Sequence, residues 1–317
     1  MIPTFTRNLW LTSPMMRGAD VAQAQTQLMG KGHKLTSDGM FGRATSEAVI
    51  DFQTGNRALV ADGVLGRQTW AVLFGETAPV LPDRTVVDIL TPEQIARLTR
   101  PHRYFSSSDS WRLGRDGIAV QDEPNAICTD AQQAQVLKVF TEQKDALATI
   151  LSRVPVPIEL VIACICTESS GKVQAERREP GCSTIDPTLT PARVSVGLMQ
   201  TLLSTARDML RNPKLGLADL RDPLVSIEAG ATYIWRLARL TGFDPPLVAA
   251  AYNAGGLRFN DNRANRWRLV QYPIGTSAHV DRFVGAFNGA MRLNEIQVLN
   301  TSLMNRLPSF RNLLPAS

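Results

Sequence analysis

The sequence predicts a mainly α-helical protein in two parts, a small three-helix module followed by a larger helical domain. Three observations predict it. The chain has 317 residues, enough for about two domains. A turn-and-helix pattern repeats early: residues 38–49 read DGMFGRATSEAV and residues 62–73 read DGVLGRQTWAVL. From about residue 130 onward, helix-period apolar segments follow one another without a long alternating strand.

The first part is expected over residues 10–77. Asp-Gly makes a tight turn in which the glycine takes positive φ. Gly42 or Gly66 then resets the backbone before Thr45 or Thr69, each of which suits a helix N-cap. Ahead of the repeat, DVAQAQTQLMGKG sets Val21, Ala24, Gln25 and Leu28 at helical spacing and stops at Gly30. Residues 78–125 read as a linker or connecting subdomain. Pro79, Pro82 and Pro101 break the pattern there, and SSSDS at 106–110 is polar. One helix is expected within it at 91–99, with Thr91 as cap, Pro92 first and Gln94 closing a capping box.

The second part is expected over residues 126–317. AQQAQVLKVFTEQKDALATILSRV is amphipathic, with Val136, Val139, Phe140, Ala146, Leu147 and Ile150 on one stripe. IELVIACICTE is apolar nearly all round, which marks a central, buried helix. MQTLLSTARDML, DPLVSIEAGATYIWRLARL, PPLVAAAYN and TSAHVDRFVGAFNGAMRL follow as helices. The second of these starts with Asp222 as cap and Pro223 in first place. Short strand pieces are expected only in 172–196.

Composition sets bounds. Apolar residues are 44% and charged residues 20%, which gives an ordinary core and argues against disorder. The net charge of +5 favours a polyanionic partner. No dense Arg/Lys run interleaves with aromatics, so no nucleic-acid partner is expected. No stretch reaches the roughly 18 apolar residues of a membrane span, so no stable membrane insertion is expected, and the protein is expected to be a monomer. The opening MIPTFTRNLWLTSPMMRG holds no apolar run of signal-peptide length, so no export signal of its own is expected. Cys164 and Cys166 point roughly 200° apart on one helix and cannot bridge each other. Free thiols, and a reducing compartment, are the expectation.

The decisive chemical feature is Glu168, at the end of the apolar helix and directly before Ser169-Ser170-Gly171. A carboxyl emerging from an apolar helix end is desolvated, which raises its pKa and keeps its proton. A general acid needs that proton.

Two resemblances rest on these residues. The run from Asp20 to Leu73, with its paired DG…G…T signatures, resembles the type-1 peptidoglycan-binding module. ESSGKVQA (168–175), SVGLMQTLLSTAR (195–207), DPLVSIEAGATYI (222–234) and VAAAYNAGG (248–256) occur in that order. Together they resemble the soluble lytic transglycosylase family, whose catalytic domain has a lysozyme-like fold. The family likeness implies Glu168 as the catalytic acid and Ser169 as a residue that orients substrate or acid. It implies Met199 and Gln200 in the glycan groove, Tyr252 bonding near the carboxyl, and Asn253 on a sugar. Gly197, Gly255 and Gly256 read as packing and turn positions, and Glu228 as a solvated or structural helix residue.

The implied activity is cleavage of peptidoglycan between N-acetylmuramic acid and N-acetylglucosamine, as a lytic transglycosylase or alternatively a hydrolytic lysozyme. A second carboxylate would favour hydrolysis. Glu176, Glu179 and Asp186 lie in the long segment between the glutamate motif and GLMQ. The combination resembles a modular phage endolysin, held in the host cytoplasm until lysis and then acting at the periplasm and wall, with a virion-associated lysin as the alternative. No cofactor and no metal are implied. His33, His102 and His279 are far apart, and no HExxH occurs. A cysteine peptidase pairing Cys164, Cys166 or Cys182 with His279 is disfavoured, because thiols inside an apolar helix are inert.

Overall fold

The computed structural model describes residues 3, 5, 7, 9–12, 14–56, 59, 63, 65–75, 89–121, 123, 127–293 and 307–312. The chain divides into two compact units, Met1–Asp83 and Arg84–Ser317.

The first unit holds α1 (Ala19–Gly30), α2 (Arg43–Thr54) and α3 (Arg67–Leu73). Val21, Ala24 and Leu28 of α1 meet Val49 and Phe52 of α2 and Trp70 and Leu73 of α3 in one apolar core. Single antiparallel bridges, Leu9 to Leu65 and Arg17 to Met40, tie the intervening segments. Gly39 and Gly63 both take positive φ, +70° and +71°, as the Asp-Gly turns require.

The threonines of the repeat are not caps. Gly42 and Gly66 occupy the cap positions, while Thr45 and Thr69 are buried. Their hydroxyls are taken up by buried glutamines. Gln25 Nε2 donates to Thr45 Oγ1 (3.0 Å), Asp38 Oδ1 (2.9 Å) and the Met40 carbonyl (3.0 Å), and Gly39 N donates back to its Oε1 (2.8 Å). Gln53 repeats the arrangement with Thr69 Oγ1 (3.1 Å) and Gly63 N (2.9 Å). A buried amide must fill its bonding capacity, and here it does so by clamping a turn to the helix behind it.

The second unit begins with α4 (Pro92–Thr99), where the capping box between Thr91 and Gln94 forms as predicted. A hairpin of β1 (Trp111–Gly114) and β2 (Gly117–Val120) follows, in a stretch expected to be irregular. Trp111, Leu113, Ile118 and Val120 all enter the core of this unit. Ahead of α9 (Pro245–Ala254), Asp244 accepts from Trp111 Nε1 (2.9 Å) and bonds His102 Nε2 (2.8 Å).

α5 (Asp130–Leu151), α6 (Ile158–Glu168), α8 (Pro223–Thr241), α9 and α10 (Ala278–Met291) form the main body. α6 is its axis, with α5, α8, α9 and α10 packed around it. That placement is why its sequence is apolar on every face. Asp222 caps α8 through Leu224 N (2.8 Å), with Pro223 in first place, as predicted.

A small antiparallel sheet, β3 (Glu176–Arg178), β4 (Val194–Val196) and β5 (Thr201–Leu202), lies between α6 and α7 (Leu203–Leu210). Helix α7 is shorter than predicted, because Met199 and Gln200 belong to the turn that feeds β5. Near the C-terminus, Leu307, Pro308, Ser309 and Phe310 are buried. The Pro308 carbonyl accepts from Ile158 N (2.8 Å), and Ser309 Oγ and Phe310 N donate to the fully buried Glu159. Among the described residues, no helix is long and apolar enough to cross a membrane.

Candidate active site

Glu168 is the last residue of α6. It stands at a groove of about 490 Å³ that the β3–β5 sheet and the C-terminal end of α9 also line. Its side chain is 17% exposed. Burial is the largest influence on its carboxyl and pushes the pKa up to about 7, against the opposing pull of Arg177 and Arg282. The carboxyl thus holds its proton into the neutral range, as expected from its place at an apolar helix end.

His279, near the start of α10, approaches it with Nε2 3.5 Å from Glu168 Oε1. Burial, then Arg282 and Arg177, depress the imidazole to about 4. With the imidazole neutral, the contact near neutral pH is not an ion pair, whichever form the carboxyl takes.

The other residues implied by the family resemblance separate into two groups. Gln200, Tyr252 and Asn253 line the groove with Glu168. Gln200 has a left-handed φ of 46° and is held by its side chain. Nε2 donates to the carbonyls of Ala175 and Gly197 (both 2.9 Å), and Oε1 accepts from Ser195 Oγ (3.2 Å). Asn253 Oδ1 accepts from Tyr272 N (2.6 Å), which brings the half-exposed Tyr272 to the groove. The Tyr252 hydroxyl donates to the Met199 carbonyl (2.9 Å) and lies 3.1 Å from Thr201 Oγ1. It therefore fixes the wall of the groove rather than bonding the carboxyl directly.

Met199 and Ser169 are placed elsewhere. The Met199 side chain is fully buried against Gly230, where even a Cβ would lie 2.5 Å from its methyl. It is a core residue, so it cannot touch a sugar. Ser169 is also buried. Its hydroxyl donates to the Ile165 carbonyl and accepts from Gly171 N, both at 3.2 Å. It builds the turn that ends α6 and presents Glu168. Gly197, with φ +82°, sits where a Cβ would meet the Leu220 carbonyl oxygen at 2.0 Å, which fits the packing role expected of it. Glu228 pairs with Arg153 at 3.0 Å, a structural arrangement.

Sequence reasoning passed over Arg177, Arg193, Tyr233 and Tyr272, all of which line the groove. Of the carboxylates in the 176–195 segment, Glu179 lines it, paired with Arg177 at 2.8 Å. Glu176 is tied to Arg178 and Arg221, and Asp186 caps the turn at Pro187–Leu189. All four cysteines are free. Burial pushes the Cys166 thiol up to about 12 and Cys164 well above its ordinary value, so neither supplies a thiolate.

Residues 149–271 match the family described as Transglycosylase SLT domain. Residues 17–73 match the one described as Putative peptidoglycan binding domain. No curated protein matches the chain. Among solved structures, it is similar to the 70 kDa soluble lytic transglycosylase SLT70 of Escherichia coli, with 19% identity over 55% of this chain and 30% of that one, at a TM-score of 0.34. It is similar to a Burkholderia AP3 phage endolysin, with 16% identity over 91% of this chain and 100% of that one, at a TM-score of 0.23. An inactive mutant of the lytic transglycosylase Slt from Pseudomonas aeruginosa gives 17% identity over 57% and 26%, at a TM-score of 0.31. The chain thus spans less than a third of the length of either transglycosylase. What it holds, in order, is a peptidoglycan binding domain and a transglycosylase domain of the SLT family.

Proposed function

We propose that the chain degrades bacterial peptidoglycan by cleaving the β-1,4 bond between N-acetylmuramic acid and N-acetylglucosamine as a lytic transglycosylase. The observation that carries this reading is the carboxyl of Glu168, desolvated and facing a groove, with a pKa raised to about 7. Glu168 gives its proton to the bridging oxygen, and the bond to the muramic C1 breaks. The substrate's own N-acetyl group steadies the cationic centre. The Glu168 carboxylate then takes the proton of the muramic 6-hydroxyl, whose oxygen closes on C1 to give a 1,6-anhydro product. Gln200, its amide tied to Ala175, Gly197 and Ser195, shapes the wall of the groove, Asn253 lines it for contact with a sugar, and the rings of Tyr233 and Tyr272 offer stacking faces.

One observation favours a second reading. Glu179 lines the same groove, and a second carboxylate able to activate water would make the enzyme a hydrolytic lysozyme. Mass spectrometry of muropeptides released from purified wall separates the two, because the anhydro product is lighter by one water. A Glu168→Gln variant is expected to lose about 100-fold or more of the cleavage rate; undiminished release by that variant would end both readings.

The pairing with a wall-binding module supports a role as an endolysin. The four free thiols fit a chain kept in the reducing host cytoplasm until lysis brings it to the wall. Co-expression with a membrane-permeabilising protein tests the role. Lysis that depends on Glu168 supports it, and intact cells refute it.

A further inference from the structure

His279 lies outside the segment that matches the SLT family, which ends at residue 271. Its side chain nevertheless approaches the proposed acid, and it is not among the residues that line the groove. It is 3% exposed, and its Nε2 is buried without a hydrogen-bond partner, 3.5 Å from Glu168 Oε1. A buried polar atom left unpaired is costly, and it persists here aimed at the one carboxyl on which the chemistry turns.

We propose that His279 is a positioning residue for Glu168: a neutral imidazole, protonated on Nε2, whose N–H faces Oε1 and closes into a hydrogen bond when Glu168 gives up its proton. The inference rests on the reading of Glu168 as the acid. In the resting state the N–H marks Oε1 as the accepting oxygen, which leaves the acid proton on Oε2. As that proton moves to the glycosidic oxygen, Oε1 gains charge and the contact becomes a charge-assisted bond. The interaction is then stronger in the transition state than in the ground state, which is the condition for accelerating a chemical step. No proton passes through the imidazole; the carboxylate later takes its proton from the muramic 6-hydroxyl.

The surroundings keep the imidazole neutral. Arg177 from β3 and Arg282 on α10 both act on it and on Glu168, and burial acts on both. Cys164 on α6 and Tyr252 on α9 are the other titratable groups that feel the Glu168 charge. A cation in place of this neutral donor would hold Glu168 ionised and useless as an acid.

Full-length variants on soluble glycan-strand fragments test the idea. His279→Leu is expected to lower kcat about tenfold or more with little change in KM. Without the N–H the carboxylate is less stabilised, so the alkaline limb of the pH–rate profile is expected to move upward. His279→Gln, which returns an N–H, is expected to recover most of the rate and bring the limb back. Loss of less than about twofold in His279→Leu, or no recovery in His279→Gln, overturns the proposal. If Glu168→Gln is dead while His279→Leu is fully active, only this proposal fails; if Glu168→Gln is active, the reading beneath it fails as well.

A measurement that needs no His279 variant also decides. The chain has 3 histidines, so ¹⁵N-histidine labelling of the whole protein gives few, assignable ring signals. The Nε2–H form at pH 7, altered by Glu168→Gln, is expected. An Nδ1–H or doubly protonated ring at pH 7 overturns the proposal.

Discussion

At the scale of single residues, burial drives Glu168 and His279 in opposite directions, the carboxyl up to about 7 and the imidazole down to about 4. For Glu168 the folded pKa is about 7 against an ordinary 4.5. Between those values the folded state binds more protons than the unfolded one, so this group's contribution to stability falls as pH rises. Glu168→Gln is therefore expected to melt higher than the parent at pH 8 and by much less at pH 5, as calorimetry at the two values would show. Catalysis by an acid of that pKa is expected to decline as pH climbs through about 7. Glu168 was legible in sequence because an apolar run ending in a carboxylate declares its own desolvation. Met199 was misplaced because a motif states which residues recur together, not which face each one turns. His279 was not legible as a partner, since only the packing of α10 on α6 brings positions so distant in sequence together.

At the scale of elements, most helices announced themselves by period and caps. Asp222-Pro223 and Thr91-Pro92 mark real starts, and α6 is central for the reason its composition gave. The hairpin β1–β2 carried a signal that was passed over. Trp111 and Leu113 alternate toward the core, and Arg115-Asp116 sits between two glycines as a turn. The inner logic of the first unit was hidden for another reason. Gln25 and Gln53 read as ordinary helix residues, and only the fold shows each gripping a turn. Gln25→Ala would leave the Gly39 N–H without its acceptor and the buried Thr45 hydroxyl with only its long bond to the Met40 carbonyl, 3.4 Å. A loss of about 2–3 kcal/mol in the stability of this unit is expected, measured by denaturant titration of the isolated unit or of the whole chain. Cleavage of soluble glycan fragments should stay at the parent rate.

At the scale of the whole molecule, the last described residues reach back to the helix that carries Glu168. Glu159 lies at the opposite end of α6 from the site and accepts from Ser309 and Phe310. Burial raises its pKa, with those bonds pulling the other way. Glu159→Ala is expected to lower the melting temperature by several degrees and to reduce cleavage in step, because the buttress of α6 goes with it; an unchanged thermogram would show the tail to be dispensable. The bonds from His102 and Trp111 to Asp244 have a practical sequel. Asp244 leads directly into α9, whose far end presents Tyr252 and Asn253. A shortened enzyme begun at residue 126 would leave that carboxylate buried without either partner. Anyone exchanging the first unit for another module should therefore make the cut upstream of Ile89, which packs on the core of the second unit.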